Sequence, residues 1–201
     1  MQSPGLVGAF LFKHAGNIMN ELNELLDFCR VKKIFDKGFG FLSSINYKRD
    51  VFFHFSKIKD ETVKAELDKL KRGVVYIYYT SKQVGEKRKV SRMWLNLKNV
   101  PPNLIPAFLF KIIDELNDGR TNPFEIAFVI KELRSNDYLN RKDFELVLKS
   151  KKISNNPSIA IKMLNDKELE LFEDIENFFD EVTEKKIEPN IWTETILNKI
   201  Y

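Results

Sequence analysis

Recognisable chemistry concentrates in two short aromatic runs. In Lys37-Gly38-Phe39-Gly40-Phe41 the phenylalanines are two residues apart, so an extended strand puts both rings on one face. The glycines beside them let the backbone bend and approach neighbouring strands. In Val51-Phe52-Phe53-His54-Phe55 the same alternation sends Phe52 and His54 to one side and Val51 and Phe53 to the other. Cations surround these rings in sequence: Lys32, Lys33, Lys37, Lys48, Arg49, Lys57 and the run Lys87-Arg88-Lys89. Rings on a rigid sheet bordered by lysines suit the binding of unpaired bases. Every base has a π-face to stack, and every nucleotide has a phosphate to neutralise. A lone strand phenylalanine more often fills a core. Here Phe35, Phe39, Phe41, Phe52, Phe53 and Phe55 crowd into 21 residues, more than a small domain buries. His54 on the same side as Phe52 also argues for a wetted face.

The charge is distributed to match. The 201 residues carry 33 Lys and Arg against 29 Asp and Glu, a net +4 that by itself says little. Residues 1–28 are net −2, residues 29–98 hold 18 basic against 7 acidic side chains, and residues 99–201 hold 14 against 19. A local excess of +11 in the middle segment points to an anionic partner. The plain alternative is a solvated basic surface with no ligand. No catalytic constellation accompanies the rings: the sequence has no nucleophile elbow, no P-loop and no His/Cys pair at helical spacing. Two histidines and the single Cys29 cannot build a zinc site rich in thiolate or imidazole, and one cysteine allows no intrachain disulfide. Acid pairs such as Asp114-Glu115 leave a carboxylate magnesium site open, although exposed pairs of this kind are common on helices. A binding protein with no cofactor is the expectation, with a magnesium-dependent nuclease as the weaker rival.

The elements that must position these residues follow from the punctuation. Runs at 31–35, 38–43, 51–55, 73–81 and 89–97 read as five strands separated by turn signals, which indicates a small barrel or sandwich. Residues 60–70 could add a helical turn or two before the fourth strand. Ile18, Leu22, Leu25 and Leu26 recur at helical spacing behind Asn17, which predicts a helix over 17–28. After Pro101-Pro102 the pattern turns helical and stays so, with starts near Leu104, Asn122-Pro123, Asn140, Asn156-Pro157, Asp166 and Pro189. A bundle of about six helices is expected. The fifth, carrying Leu169, Phe172, Ile175, Phe179 and Val182 on one stripe, is acidic on the other; a solvated face accounts for that, and mimicry of a phosphate backbone is the sharper idea. The longest uncharged apolar stretch near the start, residues 5–12, is far short of the roughly 20 residues that span a bilayer. With no signal-peptide pattern either, cytoplasm is the expected compartment.

At the two aromatic runs the chain resembles the cold-shock domain family. KGFGFL (37–42) is similar to its first ribonucleoprotein motif and DVFFHFSKI (50–58) to its second, with the basic strand VKKIF (31–35) ahead of them. The resemblance covers about 29–98, a third of the chain. It implies a five-stranded OB barrel; with the extension over 1–28 and the all-α domain over 99–201 read from periodicity, the expectation is a multi-domain β plus α protein. It implies binding of single-stranded RNA or DNA, with Phe39, Phe41, Phe52, His54 and Phe55 stacking on bases and Lys32, Lys37 and Asp50 at flanking polar positions. Lys57 and Arg88 complete the expected contact set. Strict alternation puts Phe55 in the core with Phe53, whereas the family pattern puts it at the binding surface. Two departures point to fewer rings and a larger electrostatic share. Lys33 stands where the family commonly has an aromatic, with Phe35 nearby, and Glu61-Thr62-Val63-Lys64 fills a loop that usually carries another ring. The helical part is left for a protein partner or dimerisation. The rival to nucleic-acid binding is an adaptor whose ring face is buried.

Overall fold

In the computed structural model, residues 24–31, 34–35, 37–68 and 75–201 are described. They form a curled six-stranded sheet and a set of helices, a mixed β plus α architecture. The chain divides into two compact units. One takes the described residues up to Leu95 together with Pro101–Phe108; the other takes Asn96–Val100 and Leu109–Tyr201.

The sheet runs β1 (Leu26–Val31), β5 (Val75–Val84), β6 (Lys87–Trp94), β4 (Val51–His54), β3 (Phe39–Leu42), β2 (Ile34–Phe35). All pairings are antiparallel except β4 with β6. β5, a run of β-branched and aromatic residues, is the kind of sequence that packs well on a pleated surface. It turns into β6 through Gly85-Glu86, with Gly85 at φ +61°, the left-handed backbone that tight hairpin turns need. A bulge opposite Thr80 and Ser81 adds one residue to β6 and strengthens its twist.

Cys29, Val31, Leu42, Val51, Phe53, Ile77, Tyr79 and Met93 turn inward and form the core of this unit. Helix α1 (Glu61–Asp68) closes it with Val63 and Leu67. Asp60 starts α1 as its cap, accepting from the Thr62 and Val63 amides at 2.8 and 3.3 Å. The Thr62 hydroxyl first, and then the Val63 and Thr62 amides, hold its carboxyl below the usual range by hydrogen bonding to it. On the opposite side of the β1–β5 pair Phe28 lies against Tyr76 and Tyr78, and Tyr78 meets Phe108 edge-on at 6.0 Å. β1 is thus covered on both faces, with only Arg30 exposed along its length.

This double burial corrects one sequence expectation. Leu26 to Phe28, placed in a helix over 17–28 by their spacing, belong to β1; residues 17–23 lie outside the described residues. Of the expected strand at 31–35, Val31 ends β1 and Ile34–Phe35 form β2, with residues 32 and 33 outside the described residues. A strand buried on both faces has no polar alternation, so its apolar residues imitate a helical stripe.

The second unit is helical: the later turns of α2 (Ile105–Asp118), then α3 (Pro123–Ser135), α4 (Arg141–Leu148), α5 (Lys151–Ser154), a 3₁₀ run Pro157–Met163, α6 (Asp166–Leu169), α7 (Ile175–Glu184) and α8 (Pro189–Ile200). Asn122 and Asn140 cap α3 and α4 as their sequence positions predict. The single helix expected from Asp166 through Val182 is instead two. Asn165 and Glu168 form a capping box on α6, and Asp174 accepts from the Asn177 amide to start α7 afresh. At the end of α2 the Glu115 carboxylate folds back over Gly119 and accepts from the amides of Arg120 and Thr121 and from the Thr121 hydroxyl. Burial alone would raise its pKa. The Thr121 and Arg120 donors and the charge of Lys152 outweigh that and hold it below the usual range. A Cβ at Gly119 would overlap this carboxylate.

Candidate nucleic-acid interface

The pairing of β2, β3 and β4 brings the sequence-selected rings together. Phe35 faces Phe39 across β2–β3, Phe39 faces His54 and Phe41 faces Phe52 across β3–β4. Their partners in alternation, Leu42, Val51 and Phe53, go to the core. Phe35 stacks on Phe39 with centroids 4.8 Å apart, and Phe39 stacks on Phe52 at 6.0 Å. Phe41 stands edge-on to all three at 5.8 to 6.4 Å. Rings held this way brace one another, so the platform is ordered before any ligand arrives. Phe41 is 47% exposed and Phe35 39%, while Phe39, Phe52 and His54 are half-buried. Apolar rings gathered at a surface in this way, with Phe41 the most exposed of them, are what an interaction site presents.

Backbone hydrogen bonds fix the turn beside this patch. Gly38 has φ +73°, which favours glycine, and its amide donates to the Phe35 carbonyl at 2.8 Å. Its own carbonyl accepts from the Phe55 amide at 2.8 Å, tying the end of β4 to the turn. Phe55 itself packs against the core cluster, with its ring 6.2 Å from that of Phe53, so it sits apart from the other four rings. His54 Nδ1 accepts from the Ser56 amide at 3.1 Å, which sets the ring's orientation and leaves its Nε2 edge for a donor role.

Among the expected cations, Lys37, Lys48, Arg49 and Lys57 are exposed, as is Asp50. Lys32 lies outside the described residues. Arg88 is engaged elsewhere: its guanidinium lies 3.6 Å above the Tyr47 ring and donates to the Ser81 hydroxyl and carbonyl at 3.2 and 3.1 Å. Its neighbour Lys89, opposite Phe52 in the β4–β6 pair, is the residue of that run beside the rings. Sequence reasoning also passed over Lys59, Lys82, Arg92 and Trp94, which with Lys57 and Lys89 line a cleft of about 570 Å³ that begins at Phe52 and His54. The available signal was Arg92-Ser91-adjacent alternation: Arg92 and Trp94 are two apart, like Phe39 and Phe41, on a strand already marked as basic.

Among the described residues no group of three or more His, Cys, Asp or Glu could hold a metal ion, and no helix is long and apolar enough to cross a membrane. Comparison with family models, with curated proteins and with solved structures finds no match to this chain.

Proposed function

We propose that the sheet unit is an OB-type barrel of the cold-shock kind, and that it binds single-stranded RNA or DNA through the outer face of β3 and β4. The observation that carries this is the ring cluster Phe39, Phe41 and Phe52 on one face of β3 and β4, with Phe41 exposed, next to exposed lysines. The strand order supports it as well. β1 and β2 occupy the two edges of the sheet, yet only residues 32 and 33 separate them in sequence. Counted together as the first strand of the unit, they turn the order into a five-strand cycle that closes on itself, with Phe39, Phe41 and Phe52 on its second and third strands and Phe35 at the end of its first. That is the face on which OB barrels carry oligonucleotides.

Bases stack on Phe35, Phe39, Phe41 and Phe52, the His54 edge donates to a base or phosphate, and Lys37, Lys57 and Lys89 meet the backbone. The reading is of a binding protein, without a catalytic step or a cofactor. The adaptor alternative, in which the ring face is buried against the helices or a partner, would be favoured by full burial of Phe39, Phe52 and His54 within the chain; all three are half-buried. Fluorescence anisotropy with labelled oligothymidylate and oligouridylate tests the proposal. Phe39→Ala, Phe41→Ala and Phe52→Ala are each expected to weaken binding by about 1–3 kcal/mol. Parental affinity in the triple variant would remove the stacking mechanism.

A further inference from the structure

The strands that carry the rings part company just beyond them. β4 and β6 pair at one position, Phe52 opposite Lys89. β4 then ends at His54 and the chain turns away through a 3₁₀ turn (Phe55–Lys57), while β6 continues to Trp94. The widening gap is the 570 Å³ cleft, within the range of small-molecule sites. We infer that this cleft receives an unpaired base of the same strand that stacks on the ring face, turned inward between His54 and Trp94. The inference rests on the proposed nucleic-acid reading and extends it from a platform to a platform with a pocket.

Three features argue for that occupant. The first is continuity: Phe52 and His54 belong both to the ring face and to the cleft wall, so a strand leaving the rings enters the cleft without crossing other surface. The second is the lining. Ile58 and Met93 are buried and Val90 is half-buried, giving an apolar floor, and the Trp94 indole with Arg92 5.4 Å from its centroid gives an aromatic, cationic wall. The third is charge. Lys57, Lys59, Lys82 and Lys89 are exposed around the cleft, and among the described residues none of them is in an ion pair. Among the described residues the only carboxylate in the lining is Asp60, one oxygen of which already caps α1. A ligand with a flat apolar part and a phosphate beside it matches this combination; an aliphatic or cationic ligand does not.

Tryptophan emission provides the test, because Trp192 is 1% exposed and Trp94 is the indole at the cleft. The full chain is titrated with oligothymidylates rising from about four to about twelve nucleotides, the range of site sizes for one such barrel. Short oligomers are expected to bind through the rings, with sensitivity to Phe41→Ala and little change in emission. Longer ones are expected to quench Trp94 and to bind roughly tenfold tighter. Trp94→Leu should abolish that gain and the quenching while leaving the short oligomers unaffected. Lys59→Gln, an exposed change that does not threaten folding, should reduce the gain alone. If longer oligomers bind no tighter and leave emission unchanged, the pocket is overturned and the ring platform stands. If no oligomer binds, the nucleic-acid reading fails with it. Quenching by an acidic peptide but by no oligomer also overturns the inference, and assigns the cleft to a protein segment.

Discussion

Asp27 is a carboxylate at the second position of β1, fully buried, that accepts from its neighbour Phe28's amide at 3.0 Å, from the Ile45 amide at 2.9 Å and from the Ser44 hydroxyl. Ser44 in turn accepts from the Asn46 and Tyr47 amides, so one acid anchors the whole turn between β3 and β4. Burial pushes its pKa up, and the Ser44, Ile45 and Phe28 donors only partly offset this. The native state therefore holds the Asp27 proton more tightly than the unfolded chain does. As pH rises from the ordinary carboxylate range through the raised value, stability falls. Asp27→Asn is expected to flatten the dependence of urea midpoint on pH above the ordinary carboxylate range, since the amide keeps an acceptor for both amide donors and never ionises. Asp27→Ala leaves the Ile45 amide and the Ser44 hydroxyl unsatisfied and is expected to cost about 1–3 kcal/mol at any pH. Equal pH slopes in parent and Asp27→Asn would refute the assignment. This role was not legible in the sequence. Asp27 reads there as one of three acids in a leader helix, because burial is a property of the partner strand, Tyr79 opposite it, and not of its neighbours in the chain. The rings of β3 and β4 were legible, because alternation over four residues is local information.

At the scale of elements, one arginine links four of the helical segments. Arg134 of α3 is ion-paired with Glu168 of α6, lies 3.8 Å from the Phe144 ring of α4 and donates to the Tyr201 hydroxyl after α8 at 3.0 Å. Its side chain is 4% exposed and that of Glu168 13%. Breaking a buried pair from one side costs about 3–5 kcal/mol because the other charge remains without its partner, whereas removing both charges costs far less. Arg134→Ala is therefore expected to lower stability by roughly 3 kcal/mol, and Arg134→Met combined with Glu168→Gln to recover most of it. Chemical denaturation of the four species measures the coupling, and additive losses would show that the pair is not the link. The sequence predicted the helices here but not their ends. Leu169, Phe172, Ile175 and Val182 keep helical spacing through a real break, since Asn165, Glu168 and Asp174 act as caps only once the chain has turned. Periodicity reports which residues face inward, and two short helices can present the same inward set as one long one.

For the molecule as a whole, the net charge of +4 conceals a middle segment of +11, and it is the local field that a ligand meets, since salt screens charges beyond about 8–10 Å. Two kinds of contact with a nucleic acid then respond to salt differently. Each lysine that neutralises a phosphate releases counterions, so the log–log slope of affinity against salt steepens by about 0.7 per contact on a single strand. A ring that stacks on a base releases none. Lys57→Gln and Lys89→Gln are each expected to make the slope shallower by up to about 0.7, with a similar loss on every oligomer sequence. Phe52→Ala, one residue position across the β4–β6 pair from Lys89, is expected to shift the whole line downward at unchanged slope. Arg88→Gln serves as the internal control: its guanidinium is spent on Tyr47 and Ser81, so its loss should affect folding stability more than the salt slope. Affinities measured between about 50 and 200 mM salt resolve these cases. A slope that changes with Phe52→Ala, or that ignores both lysines, would mean that rings and cations on this face do not divide the work as their chemistry predicts.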